Sequence, residues 1–255
     1  MSADLNWLPQ TAFVMVMIFA RVGTMMMLMP ALGDAIIPAR IKLSFALLLS
    51  LAFFPLVSDK IPSMPSGLAG MLILLGHEMA VGFIVGGLAR MVIAAAQVAG
   101  AVIAFQIGLS FAQTADPSQN GLQGVIIGNF LSLLGITLIF MTDLHYMVIR
   151  AIYSSYAIFP TNAPLMLGDA ASSAIDIFSS TFVVGVQMAS PFIVFGLVFF
   201  LGLGLLGRLM PQLQVFFVAQ PANVAIGLML FAVLLVTIIG LYLTHFENQF
   251  AKFLG

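Results

Sequence analysis

Hydrophobic positions run along this chain in long, nearly unbroken blocks. They extend from about Leu8 to Met29, Leu43 to Val57, Leu68 to Arg90, Met91 to Ala104, Leu122 to Met141, Ile177 to Leu206 and Val215 to His245. A helix needs about 20 apolar residues to cross the hydrocarbon of a bilayer, so the blocks predict membrane helices, the first two of them paired as a hairpin. Pro30 ends the first, and Ala31 to Lys42, with Gly33, Asp34, Pro38, Arg40 and Lys42, is a turn-rich connection. The second is broken near its end by Pro55 and closed by Ser58, Asp59, Lys60, Pro62, Pro65 and Gly67. Gly82 and Gly86 form a G-x-x-x-G pair that lets helices approach closely. Gly100 and the loss of charge after Arg90 predict a bend or tight hairpin rather than one helix of about forty residues.

Beyond Met141 the pattern turns polar. Asp143, His145 and Arg150 mark the end of a helix, and Tyr146, Tyr153 and Tyr156 cluster as aromatic residues do at a membrane interface. Thr161 to Asp176 reads as the longest connection. The last two blocks, at about 30 residues each, have to tilt, kink at Pro191 or Pro221, or project beyond the bilayer.

One polar stretch breaks the pattern in mid-chain. Phe105 to Gly121 reads F-Q-I-G-L-S-F-A-Q-T-A-D-P-S-Q-N-G between two apolar blocks. Backbone that leaves a helix at membrane depth has unpaired N–H and C=O groups that lipid cannot satisfy, so such a loop is buried in protein or lines a water path. A pore-lining or gating loop is the leading reading.

Composition sharpens the class. The 255 residues are 62% hydrophobic and 7% charged, with mean hydropathy +1.18, against about a quarter charged in a globular domain. An all-α integral membrane protein follows, expected as one domain over residues 1–255. Net charge is −1, with eight basic residues scattered singly, so neither nucleic acid nor a polybasic lipid contact is implied. The absence of cysteine removes disulfides, thiolate metal sites and cysteine nucleophiles. The N-terminus has no basic residue before Arg21, unlike a secretory signal, and is expected to stay in the mature chain.

No catalytic, cofactor or metal motif stands up. Gly202, Gly204 and Gly207 fit G-x-G-x-x-G without a preceding strand or the following acidic residue, and close helix packing is the better reading. His77-Glu78 begins H-E-x-x-H, but Val81 takes the second histidine's place. Gly108 to Ala112 is similar to the serine motif of intramembrane proteases, which would need His145 or His245 as base to Ser110. The Met25, Met26, Met27 and Met29 cluster suits adaptable packing or a deformable seal, with packing preferred. Arg21, Glu78, Arg90 and Arg208 flank or interrupt apolar blocks, and each wants a partner or water. An ion or proton path and structural pairing are both open, with pairing preferred. Arg208 to Gln220, containing Pro211, Gln212, Gln214 and Phe216, is either a turn between two spans or a protein interface.

Several strings, in order, carry a resemblance. They are Arg21 with Pro30 and Gly33, then Pro38 and Arg40, E-M-A-V-G-F-I-V-G from Glu78, and F-Q-I-G-L-S-F-A with Asp116-Pro117. P-Q-L-Q-V-F from Pro211 to Phe216 follows, with Pro221 and Gly227 after it. Over about Arg21 to Gly227 the chain resembles the FliR family of type III secretion export-gate proteins, flagellar and virulence; Ile107 stands where relatives often have Met. The resemblance implies helical hairpins in a FliP-like then FliQ-like arrangement. It also implies a non-enzymatic gate subunit assembled with FliP- and FliQ-type subunits and other export components in the bacterial inner membrane, within the flagellar basal body, for export of unfolded proteins. It implies too that Phe105, Gln106, Ile107, Gly108, Leu109, Ser110, Phe111 and Ala112 plug the closed channel. A small-solute transporter with broken helices is the competing class, although paired repeats are not evident.

Overall fold

A computed structural model describes residues 8–29, 33, 37–109, 122–210 and 215–254. Among them are eight α-helices and no strand: α1 (Leu8–Leu28), α2 (Ala39–Val57), α3 (Leu68–Ile93), α4 (Ala95–Gln106), α5 (Leu122–Met141), α6 (His145–Ile158), α7 (Leu167–Leu209) and α8 (Val215–Leu254). Five helical stretches are long and apolar enough to cross a membrane, so this is an all-α membrane protein. The chain divides into two compact units. The first holds residues 1–91, 143–177 and 249–255, the second residues 92–142 and 178–248.

In the first unit, α1 contributes more of the core than any other helix. Val14, Ile18, Val22, Met25 and Met29 recur every three or four residues, and all are buried. Against them lie Ala46, Phe53 and Val57 of α2, Val81 and Val85 of α3, and Ile152 and Tyr156 of α6. Met25, Met26 and Met29 fill this core as unbranched packing residues, while Met27 stays exposed. Gly82 and Gly86 bring α3 against the α1 backbone. A β-carbon placed on Gly82 would lie 2.6 Å from the Arg21 carbonyl oxygen, and one on Gly86 would lie 2.9 Å from that of Met25.

In the second unit, α4 buries a stripe of small residues, Ala95, Ala96, Ala99, Gly100 and Ala104, beside Ile103. Gly100 meets the backbone of Gly128 on α5 so closely that it has no room for a side chain, while a β-carbon on Gly128 would run into the side chain of Gln97. Gln97 Nε2 donates to Asn129 Oδ1 (3.2 Å) and Ser132 Oγ (2.9 Å) across the same contact. Phe231 of α8 packs edge-on to Phe130 of α5, with ring centres 6.0 Å apart, and lies 6.2 Å from Phe192 of α7.

Several boundaries differ from the sequence reading. Gly100 is neither a bend nor a hairpin. The helix breaks at Ala94, and Leu68–Gln106 forms one apolar helical stretch of 39 residues. α2 begins inside the expected loop, at Ala39, and runs through Pro55 to Val57, because a proline two residues before the end removes one helical hydrogen bond and leaves little helix to disturb. The Tyr146–Tyr156 region, for which the tyrosine cluster predicted no helix, is helix α6, entered through Asp143 in the left-handed region (φ 61°). Residues 167–176 belong to α7, so the connection before it is short. Asp169 lies in the first turn, where a carboxylate favours a helix N-terminus. Among the described residues nothing lies within 4 Å of a β-carbon added at Gly202, Gly204 or Gly207, and that part of α7 is exposed, so the expected close helix packing is not seen there.

Candidate functional site

Arg21 falls on the buried stripe of α1, and each of its three guanidinium nitrogens donates a hydrogen bond. Nε donates to Glu78 Oε2 at 2.6 Å and Nη2 to Glu78 Oε1 at 2.9 Å, a two-pronged pair in which both side chains are fully buried. Nη1 donates to the Ser155 carbonyl (3.0 Å) and Nη2 also to that of Phe159 (2.9 Å), so the cation caps the C-terminal end of α6. The Tyr156 ring lies 4.1 Å from the guanidinium carbon. His77 completes the cluster, with Nε2 3.0 Å from the Ala163 carbonyl and Nδ1 3.8 Å from Glu78 Oε1. One charged clasp thus ties α1, α3 and the end of α6 together.

Arg90 and Arg208, the other arginines singled out in the sequence, make none of the clasp's hydrogen bonds. Both are exposed in the last turns of α3 and α7, where a positive charge complements the helix dipole. Phe216 sits near the start of α8, its ring centre 5.8 Å from that of Phe217. Pro211, Gln212 and Gln214 lie outside the described residues, as do Ser110, Phe111 and Ala112. His245 Nε2 lies 3.4 Å from Thr181 Oγ1. No cluster of three potential metal ligands occurs among the described residues.

The polar mid-chain stretch opens on a formed cap rather than an irregular loop. Phe105 and Gln106 are the last two residues of α4, which corrects the expectation that the loop starts at Phe105. The Leu109 N–H donates to the Ala104 carbonyl (3.0 Å) and the Gly108 N–H to that of Phe105 (3.1 Å), with Gly108 at φ 81°. This crossed pair with a left-handed residue at its apex is the Schellman termination, which glycine adopts without strain. Ile107, next to it, is fully buried.

Helices α7 and α8 hold the cap. Gly227 leaves room for Ile107, whose Cγ2 would be 2.5 Å from a β-carbon there, and Gly196 leaves room for the Gln106 side chain. Gln220 Nε2 donates to the Gly108 carbonyl at 2.8 Å, and Asn223 Nδ2 reaches toward that of Gln106 at 3.5 Å. Asn223 is fully buried. The sequence reading passed over this pair, although two amides three residues apart on one face of an apolar helix were the available signal.

The chain's residues 12–249 match the family model for bacterial export proteins, family 1. The chain is 46% identical over 220 residues to the flagellar biosynthetic protein FliR of Caulobacter vibrioides, covering 86% of this chain and 87% of that one. It is 30% identical over 220 residues to FliR of Bacillus subtilis, covering 85% and 84%. Against the Yop proteins translocation protein T of Yersinia pestis it is 25% identical over 190 residues, covering 72% and 71%. With its all-helical apolar fold and a family match across nearly its whole length, this chain belongs to the bacterial export proteins, family 1, and has flagellar FliR proteins among its relatives.

Proposed function

We propose that the whole chain acts as one core subunit of the flagellar type III secretion export gate. It forms a channel with FliP- and FliQ-type subunits in the bacterial inner membrane, at the flagellar basal body, in a FliP-like then FliQ-like helical arrangement. Unfolded flagellar proteins pass through that channel, and the 105–121 stretch is its plug. The observation that carries the reading is the apolar surface of α7. Exposed side chains continue from Phe178 (64% exposed) to Leu209 (77%). At 1.5 Å per residue that distance is about 47 Å, against about 30 Å of hydrocarbon. A straight helix would have to tilt by about 50°, beyond the 0–40° range of transmembrane helices, for lipid to cover it. Other apolar protein is the natural cover, as a multi-subunit gate supplies.

Greater identity to the flagellar relatives than to the Yop translocation protein favours a flagellar over a virulence role. For the plug, support comes from the fixed cap at Ile107–Leu109, which starts a polar stretch inside an otherwise apolar unit. Deleting Gln106 to Ala112 is expected to make cells that assemble the gate leaky to small solutes, read as dye or ion influx. Influx equal to that of the intact gate would contradict the plug.

A further inference from the structure

We propose that the Gln220–Asn223 amide pair of α8 is a latch that positions the start of the plug. This rests on the plug reading. The Schellman cap pairs the Ala104 and Phe105 carbonyls but not those that follow, from Gln106 to Gly108. Two of these, Gly108 and Gln106, face the two side-chain amides on α8. Three residues apart, Gln220 and Asn223 lie on one face of the helix, next to Gly227, which seats Ile107. The contact is therefore side-chain amide to backbone carbonyl on one side and apolar residue to glycine notch on the other.

The amides are also half used. Among the described residues, Gln220 Oε1 and Asn223 Oδ1 are buried acceptors without a hydrogen-bond partner. A buried unpaired acceptor costs free energy that the donated bond has to offset, so this latch is shallower than a fully paired network. Freed of the Gly108 and Gln106 carbonyls, each amide keeps a donor and an acceptor, the pair of groups that any peptide backbone complements. The latch is thus suited to release without leaving the cap's surroundings apolar.

The chain has no cysteine, which makes a direct test possible. Leu109→Cys, in complexes assembled with the partner subunits, reports the cap's exposure by its rate of maleimide labelling. Gln220→Met and Asn223→Leu keep volume and remove the donors. Both are expected to raise the labelling rate several-fold and to raise solute leak, while Gln220→Lys, which keeps a donor, returns labelling toward the original rate. Assembly is followed by native mass, so that a variant which fails to fold is recognised and replaced by Gln220→Leu, which also lacks the donor and adds no charge. Unchanged labelling in the assembled donor-less variants overturns the latch. Faster labelling without leak, in a gate where the loop deletion does leak, overturns its role in closure. A loop deletion that does not leak removes the plug reading instead, and the labelling rates still decide whether the amides hold the cap.

Discussion

Glu78→Ala is expected to cost about 3–5 kcal/mol of stability, because it leaves the fully buried Arg21 guanidinium without its counter-ion. Burial removes the water that would otherwise solvate the charge, and the Ser155 and Phe159 carbonyls supply only partial negative charge. The loss should appear as a lowered unfolding midpoint in detergent and a reduced yield of assembled complex. Arg21→Met combined with Glu78→Leu is expected to recover much of it, since two apolar groups of similar volume leave no charge unpaired. A single Glu78→Ala variant with an unchanged midpoint would show that the clasp does not hold α1, α3 and α6 together.

Locking Gln106 to Gly196 is expected to stop export. The Gln106 β-carbon lies 3.4 Å from the place a β-carbon would take on Gly196, close to the roughly 3.5–4.5 Å that a disulfide bridges. In a subunit without native cysteines, Gln106→Cys with Gly196→Cys offers a single internal cross-link. If the segment from Gln106 onward moves aside for substrate, oxidised gates should fall to background secretion and recover with a reductant, while either single variant exports under both conditions. Fully cross-linked gates that secrete at the original rate would place the moving part beyond Gln106.

How far the sequence could be read depended on the kind of signal each element carries. Long apolar blocks marked α1, α2, α3 and α5 well, because membrane helices are read by length and hydropathy. The Gly82 and Gly86 pair was legible because small residues at that spacing have one common use. Helix α6 was missed because its charged and tyrosine-rich surface looks interfacial, whereas Tyr156 turns inward onto Arg21. The first turns of α7 were read as a connection because Gly168, Asp169 and Ser172 are loop formers out of context, and only the structure shows the helix continuing through them. The Arg21 clasp was half legible. A buried arginine announces that it needs a partner, but two of its four acceptor oxygens are backbone carbonyls, which no side chain betrays. The same holds for the latch, where Gln220 and Asn223 bind carbonyls of a cap that forms only once Gly108 takes its left-handed turn.

The most direct test of the central claim is the composition of the native complex. The chain would be expressed with and without the other membrane subunits of its export system, extracted in mild detergent and weighed intact. One copy bound to several copies of two other small membrane proteins is the predicted result. A lone monomer or homodimer in the presence of those partners would contradict the gate, and the 105–121 stretch would then stand as the substrate site of a small-solute transporter.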